Sequence, residues 1–139
     1  EFRRVLFRSL AEAAADLAIA AAKHRQAELA PVVGEMLNAL AIAQLALADM
    51  VRLNDNHNFT PTLELGDKIL SRKTLAAEAV KQTVELAAEL VGGPGFFQGH
   101  PMERIVRDVR AMHYHPLPAR RQRVFSGRIA LGYDPVGGE

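Results

Sequence analysis

A glycine-rich turn, Gly92-Gly93-Pro94-Gly95, is the part of the sequence whose residue types best suit ligand binding. Such a turn beside a helix end can present backbone N–H groups to phosphate, so it could contact the pyrophosphate of a dinucleotide. The same residues would also end a helix, because glycine tolerates the left-handed cap conformation and proline cannot continue a helix. The residues alone leave both interpretations open.

Two histidines, His113 and His115, are the titratable side chains that could transfer protons. Imidazole titrates near neutral pH, so either ring could act as an acid or a base. Either side chain could instead place a positive charge near the negative C-terminal end of a helix, or be a solvent-exposed residue with no functional role. A metal site is disfavoured, because the His-x-His pair has no third ligand in evident reach.

Helices must position these residues, since apolar side chains recur at intervals of three and four along most of the chain and no strand pattern is visible. Proline, glycine and polar breaks predict five segments, at about 10–26, 31–51, 60–91, 101–112 and 119–131. Thr60-Pro61 either caps the third of these helices or ends the loop before it. Short connections make an all-α, up-and-down bundle of four to five helices the simplest architecture.

Two details of these helices can be tested against a structure. In the fourth helix, spacing predicts ion pairs Glu103–Arg107 and Arg104–Asp108. In the second helix, the apolar pattern predicts a single lining side, made of Val33, Met36, Leu37, Leu40, Leu47 and Val51.

Composition narrows the class of protein. The 139 residues suit one domain, and 49% of them are hydrophobic with few aromatics, which is typical of packed helices. The absence of cysteine excludes disulfides, thiolate zinc sites and a cysteine nucleophile. No uninterrupted apolar run approaches the ~20 residues that span a bilayer, so we expect a soluble, cytoplasmic protein with no membrane span.

The last helix is basic, with four arginines and no interleaved aromatic pattern, so we do not expect a nucleic-acid partner.

Residues 4–9 can be encoded by a codon run that resembles the end of a common sequencing-library adapter. We therefore predict that 1–9 is non-native, that 10–132 is the bundle and that 133–139 is a tail. If residues 1–9 are left out, the chain has 14 basic and 15 acidic residues, so its net charge is close to zero. The natural protein would then enter at Leu10, inside a helix, and the chain would be a fragment.

The glycine turn with Phe96, followed by residues 103–110, reads GGxGF and then ERxxRDxR. This arrangement resembles the C-terminal helical domain of the acyl-CoA dehydrogenase flavoprotein superfamily. The resemblance implies FAD as the cofactor, with the segment around Gly92 and Gly93 contacting it from a neighbouring subunit. Glu89 falls where many members have glutamine.

The resemblance further implies α,β-dehydrogenation of an acyl-CoA thioester, in which a carboxylate removes the α-proton while hydride leaves the β-carbon for the flavin. The usual glutamate position falls on Pro116, which cannot accept a proton. A base upstream of this segment, proton transfer by His113 or His115, and a flavin monooxygenase of the same fold remain alternatives. A non-catalytic helical interaction module is a further alternative.

The resemblance also implies partners. Members of the family are usually homodimers or homotetramers built through this bundle, and dehydrogenases pass electrons to an electron-transfer flavoprotein. We expect this chain to be inactive alone.

Overall fold

In a computed structural model the chain consists of five α-helices, with no β-strand among the residues that the structure describes, 2–25, 27–114 and 117–137. Helices α1 to α5 span Phe2–Ala22, Ala30–Asn54, Leu63–Val91, Pro101–Val109 and Ala119–Ala130. Short 3₁₀ turns lie at Ala27–Leu29, Asp55–His57, Gly93–Phe96 and Arg110–Tyr114. The predicted all-α helical bundle is confirmed.

Helix α3 is the centre of the bundle, because it packs against each of the other four helices. Arg25, just beyond α1, bonds to Leu90 near the end of α3, so these two helices run in the same direction. Helix α5 runs the opposite way along α3, as its side-chain bonds Arg123–Glu78 and Ser126–Asp67 show. The chain therefore reverses between successive long helices.

The core is built from a few long side chains among many alanines. The largest fully buried side chains include Met36, Met50, Leu90 and Met102, and they are surrounded by alanines of α1, α2 and α3. Alanine lets helix backbones approach closely, while the flexible methionines fill the irregular gaps that remain. This packing explains how a bundle with few aromatics still excludes water from its centre.

The prediction of which side of α2 is buried is wrong for two residues. Leu37 is 42% exposed and Val51 is 68% exposed. The buried stripe instead follows small residues between two methionines, at Met36, Ala39, Ala43, Ala46 and Met50. Close approach of α2 to its neighbours favours alanine at the contact, so large apolar side chains are left on the other side of the helix.

The structure corrects the predicted start of one helix and decides between two interpretations for the start of another. The backbone of α1 is helical from Phe2, so the helix includes most of residues 1–9 rather than beginning at Leu10. Helix α3 begins at Leu63, and Thr62 caps it by accepting a 3.1 Å hydrogen bond from the N–H of Leu65. A serine or threonine cap must be non-helical, and Thr62 is extended, which moves the start beyond Pro61. The origin of residues 1–9 stays a prediction.

One stretch of the described chain, Ala27–His57, is long and apolar enough to cross a bilayer. Its mean hydropathy is 1.5. A single such stretch is weak support for a membrane protein, because the core helix of a soluble protein passes the same test of length and composition. The absence of a membrane span therefore stays a prediction.

Candidate functional site

The glycine turn lies directly after the C-terminus of α3. Gly92 has φ 71° and ψ −152°, a backbone conformation essentially restricted to glycine. Its N–H donates to the carbonyl oxygen of Ala88 at 2.9 Å, and the N–H of Gly95 donates to the oxygen of Gly92 at 3.0 Å. The turn therefore does end the helix, and both of these N–H groups are already used within the protein.

Gly95 has a packing role that the sequence interpretation missed. A Cβ atom at this position would lie 3.0 Å from Cγ1 of Val91 and 3.4 Å from Cγ of Met102. The missing side chain thus lets the turn pack directly on α4. The signal was present in the sequence as the third glycine of the motif, but only the contact with Met102 shows its purpose.

Two aromatic side chains project from this turn into solvent. Phe96 is 91% exposed, and Phe97 is also exposed. Moving a phenylalanine side chain out of water lowers the free energy. Two adjacent exposed rings therefore indicate a surface that contacts another molecule. The turn therefore presents two exposed apolar rings at one end of the bundle.

Arg25 is the cation beside this turn. Its Nη1 donates a 3.0 Å hydrogen bond to the carbonyl oxygen of Leu90, and the same atom lies 3.7 Å from the position of a Cβ at Gly92. The C-terminus of a helix carries partial negative charge, so an anion at this turn requires a nearby cation. A guanidinium has five N–H donors, and the bond to Leu90 uses only one of them.

An open pocket at this end of the bundle is lined by His24, Arg25, Glu28 and Leu29. It combines two basic side chains with one acidic and one apolar side chain. No signal in the sequence connects Arg25 to the glycine turn, because 65 residues separate it from Leu90. Folding alone brings them together.

Glu89 lies in the last turn of α3, and its side chain is exposed. Its backbone carbonyl oxygen is 4.0 Å from the position of a Cβ at Gly92. A carboxylate at a helix C-terminus is repelled by the helix dipole, so the position is electrostatically unfavourable for glutamate. Glu89, Gly92 and Gly93 thus lie together at the end of α3, and their contact with a cofactor stays a prediction.

Helix α4 follows the turn and is held in place by apolar side chains. Met102, Ile105 and Val109 are buried, and Nδ1 of His100 accepts a 3.1 Å hydrogen bond from the N–H of Met102. This bond caps the N-terminus of the helix. The glycine turn and α4 are therefore joined through packing at Gly95 and through the cap at His100.

The charged residues of α4 stay on its exposed side. Arg107 pairs with Glu103 at 3.5 Å, which confirms one predicted pair, and with the adjacent Asp108 at 3.3 Å. The predicted Arg104–Asp108 pair is absent among the described side chains, because Asp108 bonds to Arg107 instead. Among the described side chains, Arg107 and Asp108 thus bond within α4 and not to another helix.

The expected position of the catalytic base falls largely outside the described residues. His115 and Pro116 lie outside them, and so does the side chain of His113. Leu117, the residue after Pro116, accepts a 3.2 Å hydrogen bond at its backbone oxygen from Nζ of Lys73. This bond joins the loop to α3. Roles for these histidines in proton transfer stay predictions.

No group of three or more histidine, aspartate or glutamate side chains is placed to hold a metal ion in the described part of the chain. In α5, Gln122 is buried and donates to Oγ of Ser126 at 2.7 Å, whereas Arg123 pairs with Glu78 of α3. The first contact lies within α5, and the second joins α5 to α3.

Comparison with known proteins agrees with the motif around this turn. The family model described as acyl-CoA dehydrogenase, C-terminal domain, matches residues 5–114. No curated protein matches the chain. The matched range contains α2, α3 and α4 entire, together with the glycine turn and Arg25. The chain therefore belongs to the acyl-CoA dehydrogenase family, in which it corresponds to the C-terminal helical domain.

Proposed function

We propose that this chain supplies the helical domain of an FAD-dependent oxidoreductase, packs against the flavin cofactor and contributes to the oligomer interface. One observation supports this proposal above the others. The family match includes a glycine turn that ends α3, presents Phe96 to solvent and lies beside the guanidinium of Arg25. The family is generally FAD-binding.

The residues at the turn fit a flavin dinucleotide chemically. The cofactor combines a negatively charged pyrophosphate with flat ring systems. Arg25 offers a positive charge, and the lack of a side chain at Gly92 allows a ligand to approach the backbone. Phe96 offers an exposed apolar ring for a flat group to lie against.

The reaction proposed for the whole protein is α,β-dehydrogenation of an acyl-CoA thioester, as in fatty acid metabolism. FAD when bound would accept the hydride that leaves the β-carbon. A base takes the α-proton, and the electron pair of that C–H bond forms the new double bond. Residues of this chain would position the cofactor, and the base would lie upstream or at His113 or His115.

A flavin monooxygenase of the same fold is the second candidate. Pro116 at the usual glutamate position favours it, because a monooxygenase that activates oxygen does not need that carboxylate. A non-catalytic helical module is the third candidate.

As partners of the dehydrogenase we propose an acyl-CoA substrate, an electron-transfer flavoprotein and further copies of this chain. We propose the cytoplasm as its location.

The decisive experiment is to recover the gene on both sides of this segment, express the complete protein and record its absorption spectrum. We expect a yellow protein that an acyl-CoA bleaches in the absence of oxygen. A yellow protein that is not bleached, but whose reduced flavin reacts productively with oxygen, would indicate the monooxygenase. A colourless complete protein would refute both flavoenzymes.

A matched pair of variants tests the role of the turn in that complete protein. Arg25→Met removes the cation beside Gly92, whereas Arg120→Met removes an exposed arginine on α5. We expect the first change to weaken FAD binding roughly tenfold, the effect of losing about one charge-assisted hydrogen bond. The second should leave binding unchanged, and equal effects would contradict this placement of the cofactor.

A further inference from the structure

Helix α5 lies on the side of α3 that faces away from the core. It bonds to Asp67 and Glu78 of α3, which are about three turns apart and so share one side of that helix. We call this the outer side of α3, because the buried core residues Val80 and Ala87 lie about half a turn round the helix from Glu78. Thr74 also lies on the outer side, one turn before Glu78, and yet it is buried. Cover by α5 explains this burial, because the core is on the other side.

Helix α5 buries little apolar surface. The apolar core of the described chain includes side chains from each of α1 to α4 and none from α5. The buried residue of α5 is Gln122, which is polar. Val124 is 55% exposed, while Phe125 and Ile129 are half-buried. Since apolar burial is the main favourable contribution to folding, α5 is held on α3 less strongly than the other helices are held together.

Directional polar contacts fix the position of α5 on α3. The hydroxyl of Ser126 accepts a 2.7 Å hydrogen bond from Nε2 of Gln122 and donates one to the carboxylate of Asp67. Arg123 pairs with Glu78, and these two side chains are 65% and 41% exposed. Such contacts are made in one register only, yet an exposed ion pair contributes little to stability and is screened by salt. Helix α5 therefore has a defined position that is weakly held.

We infer that α5 is a strap, which opens from α3 as a unit and closes again while α1 to α4 stay folded. A part of a protein with few buried apolar contacts opens at a lower free energy than the whole. Opening uncovers Thr74 and the rest of the outer side of α3. It also carries away the end of the loop at Leu117, which a 3.2 Å hydrogen bond from Nζ of Lys73 holds on α3 in the closed state.

Thiol labelling is a direct test of opening, because the chain contains no cysteine. Thr74→Cys places a thiol under α5, whereas Thr83→Cys places one on the core side of α3, where Thr83 is also buried. We expect iodoacetamide to modify the first thiol about 100-fold faster than the second, because only the second becomes accessible through global unfolding. Equal rates would overturn the inference, since both thiols would then be reached by one cooperative unfolding.

Variants of the polar contacts show whether the Thr74→Cys thiol is reached through the strap. Ser126→Ala removes the bond to Asp67 and should raise the labelling rate about fivefold, the effect of one lost hydrogen bond. Glu78→Gln should raise it about twofold and make it less dependent on salt. Glu85→Gln is the matched control, because Glu85 is exposed on the same side of α3 beyond the contacts of α5, and it should change nothing. A labelling rate that does not respond to Ser126→Ala would overturn the inference.

Native-state hydrogen exchange of the unchanged chain is a second measurement, which needs no variant. We expect the hydrogen-bonded amides of α5 to share one protection factor, because the strap opens as a unit. That factor should be about 100-fold lower than the factor of the most protected amides of α3.

Two results of the exchange experiment would overturn the inference. Protection in α5 equal to that in α3 would show that the bundle opens only as a whole. Protection that falls steadily toward Ala130 would show fraying of a helix end instead of the opening of a strap. The proposed flavoprotein fails separately, through a colourless complete protein, and that result would leave the strap in place.

Discussion

Arg25 and Leu90 are joined by a 3.0 Å hydrogen bond from the guanidinium Nη1 to the backbone carbonyl oxygen. The bond links the loop after α1 to the last turn of α3, immediately before the glycine turn. It satisfies a carbonyl at a helix end and neutralises part of the negative charge there. The same cation therefore stabilises the turn, and it is the group that would meet an anionic ligand in the proposed function.

Replacement of Arg25 by methionine should lower the free energy of unfolding by about 1 kcal/mol, because Leu90 loses its donor while the apolar stem of the side chain is largely kept. Urea unfolding of the isolated chain measures this change. Arg120→Met, at an exposed arginine, should stay within about 0.5 kcal/mol of the wild type. Equal losses in both variants would show that the bond to Leu90 has no special role.

Gly92→Ala should destabilise the chain by about 1–3 kcal/mol, since φ 71° with ψ −152° is strained for any residue with a Cβ atom. Gly66→Ala is the matched control, because Gly66 lies inside α3 and a Cβ there meets nothing within 4 Å. It should stabilise the chain by roughly 0.4–1 kcal/mol. Thermal unfolding should thus shift in opposite directions, and a shift in the same direction would refute the conformational argument.

Glu89→Gln should stabilise the chain by about 0.3–1 kcal/mol, because it removes a negative charge from the C-terminal turn of α3. Glu85→Gln, one turn earlier on the same helix and also exposed, should have a smaller effect because the dipole interaction falls off within the last turn. Denaturant unfolding of both variants checks this order. In the complete protein, Glu89→Gln should also strengthen FAD binding, and weaker binding would count against the proposed contact.

Stability should fall in acid as carboxylates whose pKa folding lowers become protonated, and Asp49 and Glu12 are two of these. The guanidinium groups of Arg72 and Arg52 lower the pKa of Asp49 below its ordinary value of 3.8, and Arg8 and Gln44 lower that of Glu12 below 4.5. A pKa lowered by folding adds stability that is complete above the ordinary value and is lost as the pH falls through the folded value.

The loss should therefore begin near pH 4.5 and continue below 3.8, as urea unfolding at a series of pH values would show. Asp49→Asn should reduce the dependence on pH, because it removes one of these carboxylates. Asp16→Asn is the control, at an exposed aspartate without an ion pair in the described structure, and it should not change the slope. Equal slopes in all three proteins would contradict the role of Asp49.

The sequence determined the features that depend on neighbouring residues. The periodic apolar side chains specified helices, Gly92 specified the end of α3, and the motif from Gly92 to Arg110 specified the family. Each of these signals lies within a few turns of chain, where spacing and conformational preference decide the outcome. The start of α3 shows the limit of such signals, because Thr60-Pro61 suits either a helix start or the end of a loop, and the helix is capped by Thr62.

Two features depend on how the helices pack: which side of α2 is buried, and which cation lies at the glycine turn. Large apolar residues occur all round α2, so the pattern alone favoured Leu37 and Val51, whereas close packing selected Ala39 and Ala43. Arg25 reaches Leu90 because α1 and α3 end at the same end of the bundle. Both outcomes depend on contacts between distant segments, and those contacts are set by how whole helices pack.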